Sequence, residues 1–158
     1  MVERGGSYMN ESTAVELTLQ SDEPRNISLF GYELIREFVL PEILGKDTPE
    51  ILYWAGKRLA RKHPLNTLED IIEFFTKASW GQLQLTKERK DQIEFELVSP
   101  LIVSRVKTKA EHYFQIEAGF LAEQIQLQKQ VITETFEHPV KKANKVHFTV
   151  KWDHKDSI

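Results

Sequence analysis

The sequence contains no cysteine. That absence removes disulfides, thiolate nucleophiles, cysteine acylation and zinc sites of the Cys type, and it fits a reducing compartment. Glycine and proline are scarce, at 7 and 6 of 158 residues, so no loop-rich or low-complexity architecture is expected. No apolar run approaches the roughly 18 residues of a membrane span, and the opening MVERGGSYMNES lacks the apolar centre of a secretory signal. A cytoplasmic protein without membrane insertion is the expectation. The net charge of −3 offers nucleic acid no bulk attraction. There is no glycine-rich phosphate loop, no GxSxG elbow and no HxH or HExxH spacing.

The five histidines, His63, His112, His138, His147 and His154, include two, His138 and His147, that can face each other across the last turn. A metal would need three or four converging ligands, and no spacing enforces that. Neither a metal nor a cofactor is expected, and His112 reads as a surface or loop-packing residue. The carboxylate pairs Glu94/Glu96 and Glu134/Glu137 fall in strands, where the solvent face of a sheet is the plain reading and a general acid/base couple the other. No catalytic residue stands out, so the chain is not expected to be an enzyme.

What is present is an ordinary globular mixture, 41% hydrophobic and 28% charged, in one chain long enough to bury a core. Residues 1–24 read as a mobile tail with a short edge strand at Val15, Leu17 and Leu19, and residues 25–158 as a single domain. The organising stretch runs from Ala110 to Asp153. AEHYFQIEAGFLAEQIQLQKQ predicts one long helix with two apolar rows: Tyr113, Ile116, Phe120 and Leu127, then Phe114, Ala118, Leu121 and Ile125. Two rows need two partners. Glu117, Gln124 and Gln128 form a polar stripe between them, either a seam reaching solvent or the wall of a cavity. Gly119 in mid-helix costs about 1 kcal/mol relative to alanine and points to close approach by another backbone. Val146, Phe148, Val150 and Trp152 then alternate with polar residues, which predicts a strand with one buried face.

Upstream, Ser28 caps a helix SLFGYELIREFVLPEILG that is apolar around most of its circumference and ends or kinks near Pro41. A helix that greasy is central or shared with a second subunit. A second helix begins at Thr48-Pro49 and stops at His63-Pro64, with Gly56 on its core face as another close-approach point. Its opposite side sets Trp54 among Lys57, Arg58 and Arg61, a candidate partner-docking or anion-binding surface, or else a solvated face suited to a helix C-terminus. A third helix opens at Thr67-Leu-Glu-Asp70. Leu83 and Leu85, then Ile93, Phe95 and Leu97, alternate on either side of KERKD and predict a hairpin. The expected fold is α/β of the α+β type. It has a four-stranded antiparallel sheet of two hairpins and about four helices, in the order helix-helix-helix-hairpin-helix-hairpin.

LYWAGKRLA (Leu52 to Ala60), WGQLQL (Trp80 to Leu85), FELVSPL (Phe95 to Leu101), GFLAEQIQ (Gly119 to Gln126) and ETFEHPVKKANKVHFTVKW (Glu134 to Trp152) resemble, in that order, the four-vinyl-reductase-type domain and the transport-particle subunits of vesicle tethering. From Ser28 to Asp153 the chain is most similar to the short bacterial YslB-like family, a domain of unknown function. The resemblance implies dimerisation through helices and an apolar pocket between helices and sheet, with Tyr53, Trp54, Trp80, Phe114 and Phe120 the aromatics nearest it. Haem is not implied, because the YxSxR motif of the distant gas sensors is absent. These readings combine into a non-enzymatic homodimer that binds a small apolar ligand or a protein partner as an adaptor or regulator. The alternative is an enzyme or carrier for an acyl or tetrapyrrole-like substrate.

Overall fold

A computed structural model of the chain describes residues 26–99, 102, 114–140 and 144–158. The strand expected at Val15, Leu17 and Leu19, the connection around residues 103–113 with His112 and Tyr113, and part of the last turn lie outside them. The chain divides into two compact units, Met1–Tyr32 and Glu33–Ile158. In the first, the Ser28 hydroxyl accepts a hydrogen bond from the Gly31 amide at 3.3 Å and starts a short helix, α1 (Leu29–Glu33).

The helix expected from Ser28, with an end or kink near Pro41, is a contiguous run of helical pieces whose geometry changes just ahead of that proline. After α1 come a π-helical stretch (Leu34–Val39), α2 (Leu40–Leu44) and a 3₁₀ turn (Gly45–Asp47). Pro41 accounts for the change. It has no amide to donate to residue 37, and its ring crowds that carbonyl, so the preceding turn widens and the Leu40 amide reaches back to the Ile35 carbonyl, five residues away. The proline then sits in the first turn of α2, where a missing amide costs nothing.

Three longer helices follow the expected order: α3 (Thr48–Lys62), α4 (Leu68–Lys77) and α5 (Gln115–Lys129). Among the described residues these three, rather than about four, carry the helical layer. The Thr67 hydroxyl caps α4 by accepting from the Asp70 amide at 3.1 Å. Strands β1 (Gln82–Glu88), β2 (Gln92–Val98), β3 (Val131–Val140) and β4 (Lys145–Ser157) form one antiparallel sheet in the order β1-β2-β4-β3. The register sets Ile93 opposite Val150, Phe95 opposite Phe148 and Leu97 opposite Val146. All six side chains are buried, and they build the inner face of the sheet.

Helix α5 lies between that face and α3, and every residue from Glu117 to Ile125 is buried. Its two apolar rows therefore have the two partners that they require. Phe120 fills the centre, with Phe74 stacked on it at 4.5 Å between ring centroids and Trp80 edge-on at 5.3 Å. At the α3–α5 crossing both surfaces are glycine. A Cβ added at Gly56 would stand 2.9 Å from the Phe120 amide nitrogen, and one at Gly119 2.8 Å from the Tyr53 carbonyl carbon.

The polar stripe on α5 is used differently from either expectation. Gln124 is fully buried: it donates to the His63 carbonyl at 2.7 Å and accepts from the Leu65 amide at 2.9 Å. Gln128 donates to the Leu65 carbonyl at 3.0 Å. The two amides thus satisfy the backbone of the α3–α4 connection, which Pro64 prevents from satisfying itself by continuing the helix. Glu117, also fully buried, pairs with Arg36 of the π-helical stretch. Among the described residues no helix is long and apolar enough to cross a membrane.

Candidate functional site

A wide opening lies where α3 passes the free edge of the sheet. Glu50, Tyr53, Trp54 and Lys57 recur at three- and four-residue spacing and so share one side of α3. Opposite them run residues 134–138 of β3, and Gln115 at the start of α5 closes one end. Together they enclose a groove of about 500 Å³, within the usual range for small-molecule sites.

β3 is an edge strand, and an edge exposes every second amide. Here two of those amides are taken by side chains. The Tyr53 hydroxyl accepts from the Thr135 amide at 3.1 Å, and Gln126 accepts from the Thr133 amide at 3.1 Å. Pro139 stands at the same parity, where no amide is required. Fewer amides are thereby left for another strand, and the edge is lined by side chains. Beneath Tyr53 the Thr135 hydroxyl is buried with no hydrogen-bonding partner among the described residues.

Glu137 accepts from the Phe114 amide at 2.9 Å and from the Gln115 side chain at 3.0 Å, pinning the start of α5 to β3. Glu134 and Glu137 are therefore not a pair on one solvent face: three residues apart in a strand, they point to opposite faces. Glu134 is exposed and Glu137 is half-buried. Two apolar side chains of β3, Ile132 and Phe136, face outward while Thr133 and Thr135 face the core, and Phe136 supplies a groove wall.

Of the aromatics singled out in the sequence, Tyr53 and Trp54 line the groove. Trp80 and Phe120 pack against each other in the core, and Phe114 is fully buried. The cations around Trp54 have different neighbours. Arg58 lies over the indole at 5.1 Å and Lys57 over the Tyr53 ring at 5.7 Å, whereas Arg61 is held by Glu123 at 2.8 Å. Phe136, Glu50, Thr135 and His138 were not singled out as ligand-binding residues, and only a strand reading that put Phe136 outward would have found the first. His138 and His147 do face each other across β3 and β4. Among the described residues no group of three or more His, Asp or Glu is placed to hold a metal.

Burial pushes the Tyr53 hydroxyl above its ordinary pKa of 10.0, the charges of Glu134 and Glu123 add to the rise, and the Thr135 amide opposes it. A group whose folded pKa is raised contributes stability that is intact below the unfolded value and is lost as pH rises through the folded one. Stability should therefore fall from about pH 10 upward, and Tyr53→Phe should flatten that fall. Urea midpoints between neutral and strongly alkaline pH check the sign. Absorbance titration should show one of the four tyrosines ionising after the rest, and the late component should be missing from the variant.

Comparison with known proteins follows the same outline. Residues 29–151 match the model of a family described as "Protein of unknown function (DUF2507)". The uncharacterized protein YslB of Bacillus subtilis (strain 168) is 47% identical over 143 residues, covering 90% of this chain and 97% of that protein. A vinyl-4-reductase family protein from Methanocaldococcus jannaschii superposes with a TM-score of 0.68 at 16% identity, over 94% of this chain and 99% of the other, which shows a shared fold. Trafficking protein particle complex subunit 3 from Naegleria fowleri, solved covalently bound to palmitic acid, gives a TM-score of 0.45 at 14% identity over 89% of this chain and 94% of that one.

Proposed function

The chain belongs to the DUF2507 family of proteins of unknown function, and from that premise we propose that it is a non-enzymatic cytoplasmic binding module holding a small apolar ligand in the α3–β3 groove. The observation that carries this reading is the groove itself. Tyr53, Trp54 and Phe136 give it aromatic walls, and the few polar groups at its border can orient a ligand. An enzyme or carrier for an acyl or tetrapyrrole-like substrate is the rival reading. Binding is favoured because Tyr53 and Glu137, the groove residues with the best-defined geometry, are already committed to backbone amides. Native mass spectrometry of the protein purified from its own host should reveal a retained small molecule, and Trp54→Ala/Phe136→Ala should lose it while keeping its circular dichroism. Wild type that carries no retained mass and shows no saturable binding of an anilinonaphthalene sulfonate dye would sink the proposal.

A second reading, homodimerisation, rests on a separate observation. The segment 34–43 turns its arginine inward and its large apolar side chains outward: Arg36 is 5% exposed, Phe38 65% and Ile43 72%, with Leu34, Ile35 and Val39 also exposed. Together these present several hundred Å² of apolar surface, about the size of the largest patch on a typical monomer. A two-fold contact centred there would supply much of the roughly 800 Å² per partner of a standard interface. Light scattering after gel filtration should give twice the 18.4 kDa chain mass, and Phe38→Glu/Ile43→Glu should give the chain mass. A wild-type monomer at micromolar concentration would end this reading and leave the groove untouched.

A further inference from the structure

At the opposite end of β3 from the groove's His138, a second cavity of about 360 Å³ is lined by Arg89, Lys90, Lys129, Val131, Trp152 and His154. We propose that this cavity binds a phosphoryl-bearing anion. Four residues with nitrogen-bearing side chains line it from three places: the β1–β2 turn supplies Arg89 and Lys90, the last turn of α5 supplies Lys129, and β4 supplies His154. No carboxylate lines it. The nearest in sequence, Glu88, Asp91 and Asp153, do not contribute to the wall, and Asp153 accepts from the Lys155 amide instead. None of Arg89, Lys90, Lys129 and His154 forms an ion pair with a described residue.

Local structure does not call for this charge. A lysine in the last turn ordinarily serves a helix's free carbonyls. In α5, however, the Gln126 carbonyl already accepts from the Gln130 amide at 2.8 Å and the Leu127 carbonyl from the Gln130 side chain at 2.8 Å. Lys129 is drawn over the Trp152 ring instead, 4.8 Å from its centroid. The turn bearing Arg89 and Lys90 is tied down as well. The His154 ring donates to the Lys90 carbonyl at 2.8 Å, and the Trp152 amide donates to the Asp91 carbonyl at 3.1 Å. The main chain of the turn that carries two of the cations is thus fixed beside the cavity.

Three permanent positive charges match a doubly or triply charged phosphoryl group better than a single carboxylate, and the guanidinium fork suits its oxygens. The cavity exceeds the volume of a bare phosphate, so the lining atoms of Trp152 and Val131, both otherwise buried, would meet the organic remainder of an ester. A free phosphate ester and a phospholipid headgroup share this chemistry.

Calorimetric titration with inorganic pyrophosphate tests the free-anion source. Co-sedimentation with phosphatidylcholine vesicles, with and without phosphatidylglycerol, tests the headgroup source. Saturable binding in either arm that weakens at least tenfold in Arg89→Glu/Lys129→Glu, and less in Arg89→Gln/Lys129→Gln, supports the site. Lys46→Glu/Lys62→Glu, which changes net charge equally on exposed positions elsewhere, should bind as wild type does. Both replaced side chains are exposed, and urea midpoints check that the variants remain folded. No saturable binding in either arm, or equal losses in the site variant and the charge-matched control, overturns the proposal. The Trp54→Ala/Phe136→Ala variant should bind unchanged, so failure here is distinguishable from failure of the groove.

Discussion

Gly119→Ala should lower stability by about 3 kcal/mol or more, and Gly119→Val should yield no folded protein. Overpacking a core with an added methyl group typically costs about 1–3 kcal/mol, because side chains can shift to make room. Here the obstacle is main chain on both sides, the carbonyl of Tyr53 at Gly119 and the carbonyl of Ile116 with the amide of Phe120 at Gly56. Relief requires moving a whole helix, and that movement would open the core around Phe120 and carry Tyr53 away from the Thr135 amide. Against a total stability of about 5–15 kcal/mol, such a loss is a large share. Urea unfolding measures it, with Gly31→Ala as control: a Cβ there meets only the Ser28 Cβ at 3.9 Å, an ordinary contact. That control should stay near neutral or gain up to about 1 kcal/mol from helix propensity. If Gly119→Ala and Gly31→Ala unfold at the same urea concentration, the crossing is not as tight as described.

Both crossing glycines were legible in the sequence, since each interrupts a helical apolar face at an energetic cost that only close packing offsets. The two hairpins were legible for a related reason: period-two alternation in Ile93, Phe95 and Leu97 and in Val146, Phe148 and Val150 admits one buried face. β3 admits two. Val131, Thr133, Thr135 and Glu137 are no more apolar than Ile132, Glu134, Phe136 and His138, so the strand's own pattern leaves its orientation open. Pairing with β4 and packing on α5 decide it, turning Phe136 outward and with it a wall of the groove. The same limit explains Gln124 and Gln128, whose partners are main-chain atoms of the α3–α4 connection some sixty residues away. Side-chain chemistry marks them as needing partners and cannot name backbone atoms as those partners.

Arg36→Ala should destabilise the protein by about 3–5 kcal/mol, whereas Arg36→Met/Glu117→Met should recover most of the loss. Glu117 is fully buried on α5 and Arg36 is 5% exposed on the π-helical stretch. The Glu117 charge is tolerable there because Arg36 is beside it. Removing Arg36 leaves that carboxylate uncompensated in a buried setting, while replacing both with thioether side chains restores packing without a charge to solvate. A double-mutant cycle by urea unfolding should therefore return a coupling well above the about 0.2–1 kcal/mol of exposed pairs. Arg36→Lys should not rescue, because an ammonium cannot reproduce the guanidinium's planar fork. The pair also fastens to α5 a segment whose Leu34, Ile35, Phe38 and Val39 are exposed. Hydrogen exchange locates the effect. In Arg36→Ala the amides of residues 34–44 should lose more protection than those of α4, and equal losses in both would mean that the pair supports the whole fold rather than fastening this segment.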